Sequence, residues 1–270
     1  MAMKLATWNI NSARARCERI LDVLKRHDLD ILALQETKCS AAQFPRAQFT
    51  QAGYYVTAHG FDQWNGVAVI SRYPQTNIRF SFPGQPGFTK GEARAGGFLP
   101  GEPEARALGV NVGGIDVWSL YVPNGRAVTD PHYFYKLAFL QALHGYMEER
   151  LGEDPKEQIA LAGDWNIIPG DDDVWDPWEM PDGLYLTAQE RDAFFSFQDL
   201  GFSEVSRGFV TGYTYWDYQR LRFAKNHGMR IDYVYASPSL AKKAVGAEID
   251  RDERKGKGAS DHVPVIVDFA

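Results

Sequence analysis

The side chains in this chain that can do chemistry come in short polar clusters. They are Asn9 and Asn11 in WNIN, Glu36 in LQETK, Tyr121, Asn124 and Arg126 in LYVPNGR, Asp164 and Asn166 in AGDWN, and Asp261 and His262 in SDHVPV. Asn9, Glu36 and Asp261 offer hard oxygen donors, which suit Mg²⁺ or Mn²⁺ better than zinc and leave room for water and substrate phosphate. Asp232, in RIDYVY, stands where a strand would bury it, and a buried carboxylate needs a partner. A histidine is a natural one. If Asp232 holds His262, the imidazole is pushed toward its charged form, which a phosphate group favours. Hard ligands, an Asp-His pair and several amide donors together serve phosphoester hydrolysis best: a metal neutralises charge on the phosphoryl oxygens while a carboxylate aligns and deprotonates the attacking water.

Other chemistries have little to stand on. There is no GxSxG, and Cys17 and Cys39 occur without a CxxC, so neither a disulfide framework nor a zinc site is indicated. The stretch LAGDWNIIPGDDDVW poses a sharper question, since it carries Asp164, Asp171, Asp172 and Asp173. Asp164 closes an apolar run and is expected to carry the chemistry. The other three follow Pro169-Gly170 and read as a solvated turn or as the negatively charged start of a short helix.

The elements that must position these groups are legible in the apolar pattern. MKLATWNI (3–10), a helical stretch over 12–27 and DILALQ (30–35) form a β-α-β opening, which favours a mixed or parallel sheet. Strand-like runs recur at 66–71, 107–112, 115–122, 158–163, 230–236 and 263–269, and a long helix fits 131–151, opening at Asp130-Pro131. Many strands with few helices suggest stacked sheets flanked by helices. Asn9 and Asn11 lie two apart, as do Asp164 and Asn166, and project to one side if their strands persist. Ligand sites of α/β sheets form at strand ends, so these groups are expected to converge on one crevice. Taken singly, Asn9 and Asn11 also fit a helix cap, Glu36 a surface ion pair and Asp164 a turn.

WNIN, LQETK, YVPNGR, GDWN, YTYWDY, RIDY and SDHVPV, in this order over nearly the whole chain, resemble the exonuclease III family of apurinic/apyrimidinic endonucleases. That family lies within the wider endonuclease, exonuclease and phosphatase superfamily. The resemblance implies a four-layered α/β sandwich, two packed mixed β-sheets flanked by helices, as one domain over 1–270. It implies that Glu36 binds the metal with support from Asn9, Asn11 and Asp261, that Asp164 activates or aligns the water, and that Asn166 donates to the scissile phosphate. Tyr121 would contact the phosphate or assist the leaving group, and His262, oriented by Asp232, would stabilise the transition state. It further implies a pocket for a flipped baseless sugar walled by Tyr215, Met229 and Ile231, with Arg106, Asn124 and Arg126 on DNA phosphates.

The residues themselves bear on the substrate too. Tyr215 and Trp216 stand near Arg220 and Arg222, and Met229, Arg230 and Ile231 follow, an interleaving of rings and cations that suits insertion into a distorted duplex. A formal net charge of −6 argues against bulk electrostatic binding of nucleic acid, though basic stretches at 219–230 and 251–258 leave room for a local basic face. No apolar run approaches a bilayer span and the first residues lack an apolar signal core, so a cytosolic, monomeric enzyme acting on double-stranded DNA with abasic sites or 3′ ends is expected, with no membrane partner. The stretches 83–103 and 169–187 read as long surface loops. Two alternatives stand beside this reading: a phosphoesterase of the same superfamily acting on a lipid, inositol phosphate or nucleotide, and a noncatalytic DNA-binding module.

Overall fold

The computed structural model describes residues 2–91 and 97–270. Short runs of β-branched and aliphatic residues become strands buried on both faces, as ILALQ and VAVIS do. The elements are β1 (Met3–Asn9), α1 (Cys17–Arg26), β2 (Ile31–Gln35), α2 (Arg46–Gln51), β3 (Tyr55–His59), β4 (Val67–Ser71), β5 (Gln75–Arg79), β6 (Ala107–Val112) and β7 (Ile115–Tyr121). They continue with α3 (Pro131–Glu153), β8 (Ile159–Asp164), α4 (Ala188–Asp199), β9 (Ser203–Glu204), α5 (Arg222–Lys225), β10 (Asp232–Ala236), α6 (Pro238–Ala241), β11 (Ala244–Ile249) and β12 (Val265–Phe269).

Two six-stranded mixed sheets result, in the orders β11-β12-β1-β2-β4-β3 and β5-β6-β7-β8-β10-β9. Leu5, Ile31 and Val69 of the first meet Val110, Val117 and Val234 of the second in a core between them. On the outer face of the first sheet, Trp8 and Leu32 pack on Ile20, Val23 and Leu24 of α1. On the outer face of the second, Leu161 and Tyr235 pack with Phe139 and Leu143 of α3 and Phe194 and Phe197 of α4. The four layers are therefore helix, sheet, sheet, helix, as expected.

Each sheet contains one parallel pair, β1 with β2 and β7 with β8, joined by crossovers through α1 and α3. Parallel pairing brings the C-terminal ends of both strands to one edge. The antiparallel neighbours deliver their N-terminal ends there: Asp232 of β10 stands opposite Asp164, and β12, which His262 shortly precedes, pairs with β1. This wiring gathers motifs that are far apart in sequence.

Some elements differ from the reading of the sequence. The first helix starts at Cys17, not near Ser12, because Asn11 and Ser12 adopt positive φ and the chain turns before it can wind. Strands β3, β5, β9 and β11 lie toward or at the sheet edges and α4 fills part of the helical layer, none of them anticipated. The stretch 169–187 holds three short 3₁₀ turns. In 83–103, Thr89 bridges to Leu99, and residues 92–96 of that expected loop lie outside the described residues.

Candidate active site

Asn9, the last residue of β1, stands between the two sheets. Its amide nitrogen donates to Glu36 Oε1 at 2.8 Å and to Asp164 Oδ2 at 2.9 Å, so one side chain bridges a carboxylate of each half. Its oxygen accepts from the Asn11 backbone N–H. The amide thus turns its donor, not its oxygen, toward the two carboxylates. The strand ends before Asn11, whose side chain donates to Asp261 at 3.0 Å and accepts from Lys38 Nζ at 2.6 Å. Neither asparagine caps α1, which has no side-chain cap.

Glu36 pairs with Lys38, Oε2 to Nζ 2.7 Å. Burial alone would raise the Glu36 carboxyl, but the Lys38 ammonium and the Asn9 hydrogen bond outweigh it and hold the group below the usual carboxylate range. Asp164 lies under the opposite regime. It is 1% exposed, accepting from Asn9 and from the Asn166 backbone N–H. Burial pushes it up to about 7, and repulsion from Asp232 and Glu36 adds to this, while His262 pulls the other way.

His262 donates through Nδ1 to Asp232 Oδ2 at 2.9 Å, and its Nε2 lies 3.8 Å from Asp164 Oδ2. Asp232 also accepts from Thr214 Oγ1 at 2.6 Å. Burial would lower the imidazole, yet the two aspartates overcome it and raise His262 to about 10, so it is a cation at neutral pH. Trp8 Nε1 donates to the His262 carbonyl, which fixes the backbone behind the ring. Tyr121, facing Asp164 across the β7–β8 pair, is raised well above the ordinary tyrosine value by burial and by Glu36, and keeps its proton.

Glu36, Asp164 and His262 bring ligand-type atoms within 4.8 Å of one another. A protonated His262 has no lone pair to give, which leaves the carboxylate oxygens, Glu36 foremost. One or two carboxylates in a polar, buried cluster fit a hard divalent ion that keeps several waters, and do not fit zinc.

Several further residues sit differently from expectation. Trp216 is 1% exposed, its indole donating to Asn226, so it is core and cannot reach DNA. Arg230 is likewise buried, donating to Ser206 and the Val210 carbonyl beside the Tyr233 ring. Arg106 is buried too: its guanidinium pairs with Glu104 and lies 4.8 Å from the Tyr121 ring centre, backing the tyrosine instead of facing a phosphate. Ile231 packs with Ile168 and Val174 beneath the half-exposed Tyr215 and Met229. Asn124 bonds Asn166 and Tyr185, and Arg126 is exposed. Asp173 is no solvated turn residue: it is buried, accepting from Gly170 N–H and Arg207, whereas Asp171 and Asp172 are exposed as expected.

Two supports went unread in the sequence. Lys136 and Glu190 form a fully buried ion pair, and Lys136 also donates to the Asn166 carbonyl, holding that residue at φ 51°. Glu190 in turn closes a capping box with Thr187 at the start of α4. The Thr-x-x-Glu spacing of TAQE is the signal that would have revealed the start of α4 and the capping role of Glu190; the pairing with Lys136 is tertiary and has no local signal.

The sequence matches the endonuclease/exonuclease/phosphatase family over residues 6–262. Among relatives, exodeoxyribonuclease III of Haemophilus influenzae is 27% identical over 278 aligned positions, covering 99% of this chain and 100% of that protein. An exodeoxyribonuclease of Bacillus subtilis is 28% identical over 97% of this chain and 98% of its own length. Among solved structures, a Neisseria 3′ phosphatase, NExo, bound to product DNA hairpin superposes with a TM-score of 0.89 at 30% identity, covering 99% of both chains. An AP endonuclease from Archaeoglobus fulgidus gives 0.87 at 30% identity, again over 99% of both. With full-length matches and the strand-end cluster in agreement, the chain belongs to the exonuclease III branch of the endonuclease/exonuclease/phosphatase family.

Proposed function

We propose that this protein is a Mg²⁺-dependent DNA repair nuclease that cuts 5′ to abasic sites and removes nucleotides or blocking groups, phosphates included, from 3′ ends. The observation that carries the reading is the meeting of Asp164, Glu36 and His262 within 4.8 Å, with the histidine cationic and one carboxylate titrating near neutrality. The chain's likeness to nucleases over its whole length supports DNA as substrate.

In this reading a water lies against Asp164, which takes its proton as the water oxygen attacks phosphorus and the bond to the 3′ oxygen breaks. A base with a pKa near the working pH is the effective one. His262 presents Nε2–H to the non-bridging oxygens as charge builds, with Asp232 holding its orientation. Asn166, fixed by Lys136 and by its own bond to the Val122 carbonyl, has a second amide hydrogen for the same oxygens. Tyr121, which retains its proton, donates toward the leaving oxygen. Glu36, with Asp261 nearby, would hold a divalent ion, which when bound would supply further positive charge to the reaction. Tyr215 and Met229, partly exposed where they pack on Ile231, are the apolar surface against which a base-free sugar would lie.

The test is a labelled duplex with one abasic-site analogue beside an undamaged duplex with a recessed 3′ end, each with Mg²⁺ and with EDTA. Metal-dependent incision at the abasic position and loss of 3′ nucleotides are expected. No cleavage of either by folded, metal-supplied protein would move the assignment to a phosphoester outside DNA.

A further inference from the structure

A groove of about 650 Å³ opens beside the Glu36 end of the site, and the reaction described above leaves it unused. Phe61, Trp64 and Phe88 line it with Lys90 and Arg126. Phe61 and Trp64 are each 66% exposed. The His59 ring, 5.1 Å from Phe61 and 5.2 Å from the half-exposed Phe80, extends the aromatic surface along the β3 edge. Rings left this open in a contiguous patch mark a binding surface, because their hydrophobic gain is realised only when a partner covers them.

The groove is wired to the active site. Backbone N–H groups of Thr37 and Lys38 donate to the carbonyls of Gly66 and Asn65, so the loop bearing Phe61 and Trp64 hangs directly from the Glu36 strand end. On the other wall, the Asn65 amide donates to Glu104, which holds Arg106 against Tyr121. Arg126 lies over Phe88, guanidinium carbon 5.5 Å from the ring centre.

Charge inside the groove discriminates among parts of a nucleic acid. The carboxylates of Asp62 and Glu102 stand among the rings and would repel a phosphate lying there, whereas they accept hydrogen bonds from base amino groups. The cations Lys90 and Arg126 suit the backbone passing alongside. A base inside a duplex has its faces occupied by its neighbours in the stack, whereas an unpaired one is free to lie on a ring.

We propose that this groove is a stacking subsite for unpaired nucleobases of the DNA strand that runs into the site, with Trp64 and Phe61 as the platform and Lys90 and Arg126 on the adjoining phosphates. It rests on the DNA reading given above. Because aromatic stacking accepts any base, the subsite confers a preference for frayed or single-stranded extensions without reading sequence.

The experiment measures binding, in EDTA to prevent turnover, of three fluorescein-labelled hairpins: a blunt duplex, the same duplex with a three-nucleotide 3′ extension, and the same with a 5′ extension. The expected result is that one extension tightens binding by about tenfold over blunt, in line with the usual worth of a base on an aromatic ring. A Phe61→Ala/Trp64→Ala variant is expected to lose that gain while keeping its blunt-duplex affinity, and Phe61→Tyr/Trp64→Tyr to restore it. Equal affinity for all three hairpins, or a preference that survives the alanine variant, overturns the subsite and leaves the DNA reading standing. Failure of the wild-type protein to bind any of the three overturns both, and points to a protein partner for the rings.

Discussion

Asp164 and Asp173 are both buried carboxylates of the same stretch, LAGDWNIIPGDDDVW, yet they occupy regions of opposite electrostatic character. Asp173, in a 3₁₀ turn, is matched locally: its carboxylate takes the Gly170 N–H and the Arg207 guanidinium, and its carbonyl takes the Arg230 N–H. Asp164, at the end of β8, shares its surroundings with Asp232 and Glu36, and it shares the His262 cation with Asp232. Burial therefore does not distinguish the aspartate proposed to act on water from the structural one. What distinguishes them is whether the charge is settled in the resting protein. An unsettled one stores the capacity to take a proton, a cost in stability that function recovers.

The largest effect that would break this contrast is on rate. Asp164→Asn should lower single-turnover incision of an abasic duplex by about 10³-fold, the scale of losing a general base, while Asp173→Asn stays within a few-fold. His262→Asn comes next, at about 10²-fold in kcat with a smaller change in KM, because an oxyanion donor acts mainly in the transition state. Stability should reverse the order. Between the ordinary aspartate value and about 7, the native protein binds more protons at Asp164 than the unfolded chain does, so its contribution destabilises progressively as pH rises through that window. Asp164→Asn removes that penalty, and in EDTA at pH 8 its Tm should match or exceed the wild type. Asp173→Asn should instead cost about 1 kcal/mol in denaturant titration through the weakened turn and ion pair. Smallest of all, Asp172→Asn on the exposed face of the same turn should change stability by less than about 0.5 kcal/mol and leave the rate unchanged.

The contrast also marks how far a sequence can be read. The strand ends were legible because polar residues interrupt apolar runs at Asn9, Gln35, Tyr121 and Asp164, and the Asp232–His262 pair followed from the rule that a buried carboxylate needs a partner. The outer strands β5 and β11 were not legible, since one exposed face leaves QTNIR without an apolar pattern. Trp216 and Arg230 misled for a different reason. Rings and cations interleaved in sequence look alike whether they face DNA or fold inward onto Asn226, Ser206 and Tyr233, and only tertiary packing separates the cases. The amide of Asn9 is subtler still: its residue type permits either an oxygen ligand or a bridge between carboxylates, and the structure shows its oxygen on the Asn11 N–H and its nitrogen on both carboxylates, an arrangement that residue type alone does not specify.

The central claim, that Asp164 is held neutral-prone so that it can accept a proton from water, is tested most directly by single-turnover incision of an abasic duplex at saturating Mg²⁺ across pH 5 to 9, comparing wild type with Asp164→Asn. The account predicts a wild-type rate that falls about tenfold per unit below a midpoint at or under 7, since a bound divalent ion can only lower the Asp164 value, and a low residual rate in the variant without that limb. The same acid limb persisting in Asp164→Asn, or a variant rate equal to the wild type's across the range, would contradict it.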